Sequence, residues 1–165
     1  MGAKSILRAD DPPASEGAWL PEESLIFLRE AYHAIRRLRV EILQGFDLSL
    51  SEYTTLRICA HAPAMPSEIA EAVDVTAAGA TDIIDRLEKR HLVIRMSHPK
   101  DRRALLVATT TDGRRLYEKA RSAQLERFRQ VRQAMTVAER NALRIGLTAL
   151  VRSLPSSRLN AVKGV

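Results

Sequence analysis

Between Leu87 and Arg103 the chain reads LEKRHLVIRMSHPKDRR. The charged end of a helix runs directly into a short apolar strand, Leu92 to Met96. A polar turn then leads to a second β-prone run, Ala104 to Thr109. This pattern predicts a helix followed at once by a β-hairpin. From Arg86 to Arg103 there are seven cations (Arg86, Lys89, Arg90, Arg95, Lys100, Arg102 and Arg103) against two acids, Glu88 and Asp101. They carry most of the formal net charge of +6. Positive charge gathered on a helix and the hairpin after it suits the grooves and phosphates of a nucleic acid duplex.

Composition narrows the partner. Aromatic residues make up only 4% of the chain, whereas single-strand binders stack bases on exposed rings, so duplex DNA is expected. The single cysteine, Cys59, excludes an internal disulfide framework and suits a reducing compartment. No apolar run approaches the roughly 20 residues of a membrane span. The first residues, MGAKSILRADDPPASEGAW, lack a signal-peptide core. A cytoplasmic protein with no membrane association is expected. The four histidines (His33, His61, His91 and His98) do not pair with other ligand types at metal-binding spacing, so no metal or cofactor is expected. Neither a nucleophile–base set nor a phosphate-binding glycine loop appears, and no enzymatic activity is expected.

The helices announce themselves by their ends. Pro21-Glu22-Glu23 opens a first helix whose apolar residues recur at helical spacing to about Gln44, with Gly45 as its stop. Ser49 and Glu52 form a capping box for a second helix, with Tyr53, Leu56 and Ala60 on its inner face. Pro66-Ser67-Glu68 starts a short third helix, and Asp74-Val75 makes the turn. Thr76 caps a fourth helix, Ala77 to about Arg90, which buries Ala80, Ile83, Ile84 and Leu87 and leaves Ala77, Ala78, Thr81, Asp82, Arg86 and Lys89 outward. This is a helix-turn-helix, and the basic hairpin after it completes a winged helix. Thr110-Thr111-Asp112-Gly113 begins a long fifth helix. Thr136 and Glu139 box the start of a sixth, with Leu143, Leu147, Leu150 and Val151 inward.

The fold class is therefore mainly α with a small β-hairpin wing: a winged helix-turn-helix flanked by long dimerisation helices. The expected organisation is a flexible tail over 1–19, a dimerisation helix over 20–46 and the winged helix-turn-helix DNA-binding domain over 47–110. C-terminal dimerisation helices follow over 111–155, with a tail over 156–165. The outer helices carry more apolar surface than one chain can bury. A homodimer would cover it and present two reading heads to a palindromic site.

The pieces LSLSEYTTLR, PSEIAEAV, IIDRLEKR, LVIR, HPKDRR and TTTDG resemble the MarR family of multiple-antibiotic-resistance regulators. The similarity runs from about Leu48 to Lys119. It implies a homodimeric winged helix-turn-helix transcription regulator, often a repressor released by a small aromatic or phenolic acid effector. Two departures stand out. His91 occupies the turn position where relatives carry glycine, and Asp82 with Gly79 lie where relatives place polar or basic readers.

For the recognition helix, Thr81 and Arg86 are the expected DNA contacts, with Lys89 beyond them and Thr76, Ala77 and Ala78 at the entry. The alanines either meet thymine methyls or let the helix approach closely. Asp82 either accepts from a cytosine amine or pairs with Arg86 one turn on, the second being favoured. Ser67 is a candidate phosphate donor. In the wing, Arg103 is expected in the minor groove, Asp101 as its brace, and Lys100 and Arg102 at phosphates or in solvent. The resemblance places an effector pocket among Trp19, His33, Arg36, Tyr53 and Arg57. Interhelical salt bridging with core packing is the competing account of the helix residues, Trp19 either covers the pocket or only pins the first helix, and a structural thiol is expected at Cys59. Two other functions share the scaffold: an interaction module that does not bind DNA, and a nonspecific architectural DNA protein.

Overall fold

The computed structural model describes residues 21–99 and 104–154. In chain order the elements are α1 (Pro21–Gln44), α2 (Leu50–His61), α3 (Pro66–Val73), α4 (Ala77–Lys89), β1 (Val93–Ser97), β2 (Leu105–Thr109), α5 (Thr111–Gln133) and α6 (Val137–Ser153). The chain divides into two units after Leu38. The described part of the first is the leading stretch of α1, whose Leu25, Leu28, Tyr32 and Ile35 are exposed.

The second unit has its core where α2, α3, α4 and the hairpin meet. Leu56, Ile69, Ile84, Leu87, Val93 and Val107 are fully buried there. Each such side chain contributes roughly 1.5–3 kcal/mol relative to an exposed position. The stripe on α4 is the expected one, Ala80, Ile83, Ile84 and Leu87. Both capping boxes form, Ser49 with Glu52 and Thr136 with Glu139. Strands β1 and β2 pair antiparallel with Arg95 opposite Val107. Ala64, in the α2–α3 connection, adds a one-residue bridge to the outer side of β2, exchanging both backbone hydrogen bonds with Val107 at 3.0 and 2.8 Å.

Three reversals pass through left-handed backbone, at Asp47 (φ 51°), Asp74 (φ 58°) and His91 (φ 57°). Each closes its helix with the same paired hydrogen bonds; at His91 they run from His91 N to Glu88 O and from Leu92 N to Leu87 O, both 2.9 Å. The first helix ends at Gln44 as expected, but the left-handed residue is Asp47 rather than Gly45. Asp and His reach this region more readily than most residues that carry a Cβ.

The Thr110–Gly113 segment locks the hairpin to the start of α5. Thr110 Oγ1 donates to His91 O (2.7 Å) and accepts from Gly113 N (3.0 Å), while Thr110 N donates to Leu92 O (3.1 Å). The helix backbone at Gly113 lies against the Leu92 carbonyl, so a Cβ there would sit 1.9 Å from Leu92 O.

Helix α6 departs from expectation. None of its residues is buried, and Leu143, Leu147, Leu150 and Val151 are exposed rather than inward. The core of the second unit is already filled by the α2–α5 segment, leaving the apolar face of α6 uncovered within one chain.

Gly113→Ala is expected to destabilise the fold by about 1–3 kcal/mol, since backbone must move to admit the methyl group. Urea unfolding followed by circular dichroism measures it, and an unchanged midpoint would refute the close-approach account.

Candidate nucleic-acid interface

Helix α4 presents its outer face by default, because its inner face is committed to the core. Thr76 caps it by accepting from Gly79 N at 3.1 Å. Thr76, Ala77, Ala78, Thr81, Asp82, Arg86 and Lys89 are all exposed. Thr81 donates its hydroxyl to Ala77 O at 3.0 Å, leaving its methyl group and an acceptor lone pair outward. Ser67 is exposed in the first turn of α3, where Glu68 rather than serine caps the helix by accepting from Met65 N at 2.7 Å.

Most of the described cations in this region are engaged within the protein. Arg86 Nε lies 3.4 Å from Glu52 Oε1 on α2. The expected pairing of Arg86 with Asp82 is thus replaced. Glu52 is nearly buried, where the attraction is screened less than at the exposed Asp82, and its other oxygen is already fixed by accepting from Ser49 N at 2.8 Å. Asp82 makes no ion pair among the described residues. Arg90 reaches Asp47 at 3.3 Å and Glu52 at 4.0 Å. Arg95 binds two acids on α4, Asp85 and Glu88. Lys89 alone of the described cations between Arg86 and Pro99 has no ion-pair partner among the described residues. Lys100, Asp101, Arg102 and Arg103 lie outside the described residues.

Glu52 holds the recognition helix to α2. Burial raises its pKa, but hydrogen bonds from Ser49 and the Arg86 guanidinium outweigh that and leave the carboxyl below its ordinary 4.5.

A concavity of about 550 Å³ opens between α2 and α5. Of the residues expected to hold an effector, it is lined by Tyr53 and Arg57. His33 and Arg36 are exposed on the first unit, and Trp19 lies outside the described residues. Its other lining residues include Arg114, Tyr117, Arg121 and Gln124, none singled out from the sequence. Tyr117 and Gln124 recur one helical stripe beyond the Thr-Asp-Gly start, which is the signal that marks them. The Tyr53 and Tyr117 ring centroids lie 5.6 Å apart. Gln124 Oε1 accepts from Arg39 Nε at 3.1 Å, and the amide nitrogen of Gln124 is buried without a partner among the described residues. Burial pushes the Tyr53 hydroxyl above its ordinary 10.0, aided by Tyr117 and against Arg39, Arg57 and Arg121, so it stays a neutral donor.

Cys59 is buried, and burial pushes its thiol up to about 12, matching the structural role expected of it. Among the described residues no helix is long and apolar enough to cross a membrane.

The MarR family profile matches residues 48–105, which is the helix-turn-helix and the first part of the hairpin. The chain is 32% identical over 108 residues to the HTH-type transcriptional regulator YhbI of Bacillus subtilis, covering 64% of this chain and 70% of that one. The chain belongs to the MarR family. It is a DNA-binding transcription regulator. A further relative, the homoprotocatechuate degradative operon repressor of Escherichia coli, is 26% identical over 140 residues, covering 84% of this chain and 94% of that one. Among solved structures, RV1404 of Mycobacterium tuberculosis superposes with a TM-score of 0.73 at 24% identity, over 86% of this chain and 98% of that one. The shared winged-helix fold thus extends well beyond the matched segment.

Because the Glu52 pKa is lower folded than unfolded, its contribution to stability is full above about 4.5 and is lost as pH falls through the folded value. Glu52→Gln should be less stable than the parent at neutral pH and show a flatter acid limb. Urea midpoints between pH 7 and pH 3 test this, and parallel curves for the two proteins would contradict it.

Proposed function

We propose that this MarR-family regulator is a cytoplasmic homodimeric repressor that acts by binding rather than catalysis and reads a palindromic operator. Ala77, Ala78, Thr81, Asp82, Arg86 and Lys89 face the major groove. Thr76 lies at the helix entry and Ser67 toward a phosphate; Arg103 enters the flanking minor groove with Asp101 as its brace, and Lys100 and Arg102 meet phosphates or solvent. The observation that carries this reading is α4 itself: one face is locked into the core while the opposite face is wholly exposed and rich in small and polar groups. The uncovered apolar faces of α1 and α6 support the dimer.

Selection from a random duplex library supplies the operator, and titration at several salt concentrations supplies the electrostatics. If a dimer neutralises on the order of 8 to 12 phosphates, log affinity against log salt has a slope of roughly −7 to −11. Arg103→Ala should weaken operator binding severely while leaving the dimer intact. Equal affinity of the parent protein for selected and random duplexes would overturn the specific-repressor reading.

The effector reading rests on the α2–α5 cavity, whose size suits a small molecule. Its aromatic pair, its arginines and the Gln124 amide nitrogen, which has no partner among the described residues, suit a small aromatic acid, with the ring against Tyr53 and Tyr117 and the carboxylate toward Arg57, Arg121 and Gln124. That a relative represses a homoprotocatechuate degradative operon fits this class. Using 3,4-dihydroxyphenylacetate and salicylate as probes, millimolar ligand should release the operator from the parent protein. Arg121→Ala should bind DNA normally but respond at least tenfold more weakly. Release that is identical in the two proteins would remove Arg121 from the site.

A further inference from the structure

Arg95 sits on β1 opposite Val107, on the inner side of the hairpin, with its side chain only 25% exposed. Its guanidinium reaches Asp85 Oδ1 at 2.5 Å and also pairs with Glu88. Its backbone N–H donates to Glu88 Oε1 at 3.2 Å. Asp85 and Glu88 are one turn apart on α4, beside the buried stripe. One guanidinium therefore joins the hairpin to the recognition helix through two carboxylates, and the strand backbone adds a third bond. Arg95 is also one of the seven cations that make this region basic, yet its charge is neutralised within the protein. A planar guanidinium can hold both acids at once; a lysine ammonium lacks that fixed fork.

We infer that Arg95 is a positioning residue for DNA recognition, fixing the angle between the recognition helix and the wing through Asp85 and Glu88 rather than contacting phosphate. The inference rests on the duplex-reading role of α4 and the hairpin. Its consequence is a sign reversal. Removing acids from a DNA-binding surface strengthens attraction to phosphates when only charge matters. Here, removing Asp85 and Glu88 releases the hairpin and weakens specific binding instead.

The test uses the full chain and two probes: a duplex selected by the parent protein from a random library, and a random duplex of equal length. Asp85→Asn/Glu88→Gln is expected to bind the selected duplex at least tenfold more weakly, while its affinity for random duplex is equal or higher. Arg95→Met should give a similar loss on the selected duplex, and the triple variant should be no worse than either. Arg95→Lys should recover part of the loss. A purely structural role would lower the urea midpoint and leave the selected-to-random ratio unmoved, which would overturn the inference. So would unchanged or tighter binding of the selected duplex by the acid variant, or losses that multiply in the triple variant. If the double variant does not fold, Asp85→Asn alone, at a side chain 45% exposed, is expected to lose affinity several-fold in the same direction, and no loss there counts against the inference. A parent protein that selects no duplex refutes the DNA-reading role itself, separately from Arg95.

Discussion

The contact between the first turn of α5 and the carbonyl of Leu92 organises the reading head. Leu92 follows the left-handed His91 that ends the recognition helix, and it precedes β1. Gly113 permits helix backbone to lie on that carbonyl, while Thr110 ties down both Leu92 and His91. Recognition helix, hairpin and long C-terminal helix thus share one junction a few residues wide. A side chain at position 113 would wedge the three apart, so the Thr-Asp-Gly sequence is a packing requirement before it is anything else.

Charge in this head is distributed by role. Glu52 and Asp47 hold the end of α4 to α2 and its preceding turn through Arg86 and Arg90. Asp85 and Glu88 hold the hairpin through Arg95. Such ion pairs add little net stability at partly exposed sites. Their effect lies in direction: each restricts how one element is oriented against the next. The apparent basic excess is consequently smaller than the residue count suggests: of the described Lys and Arg between Arg86 and Pro99, only Lys89 lacks an ion pair among the described residues.

Local chemistry was legible in the sequence and long-range pairing was not. Capping boxes, the Thr76 cap and the α4 stripe depend on residues three or four apart, so their spacing alone places them. The stop of α1 at Gln44 and the turn at Asp74 are legible, but the left-handed conformation of Asp47 and Asp74 is not, because no glycine marks it. The partner of Arg86 is 34 residues away on another helix; an acid one turn along the same helix was the nearer candidate, and burial decided against it. Gln124 and Tyr117 share the helical stripe that begins at Gly113, but what they line is decided only when α5 packs across α2. The apolar residues of α6 were correctly read as a stripe, but periodicity does not say whether the surface covering a stripe belongs to the same chain.

The one-residue bridge at Ala64 gives the head a mechanical property. His61, at the end of α2, lines the α2–α5 cavity, and Ala64 is bonded on both sides to Val107 in the middle of β2. Three residues of chain span at most about 10 Å, and they include Pro63, whose fixed φ stiffens them. The cavity wall and the wing are in effect the two ends of one short rod. A displacement of the end of α2 has little slack in which to dissipate before it reaches the strand.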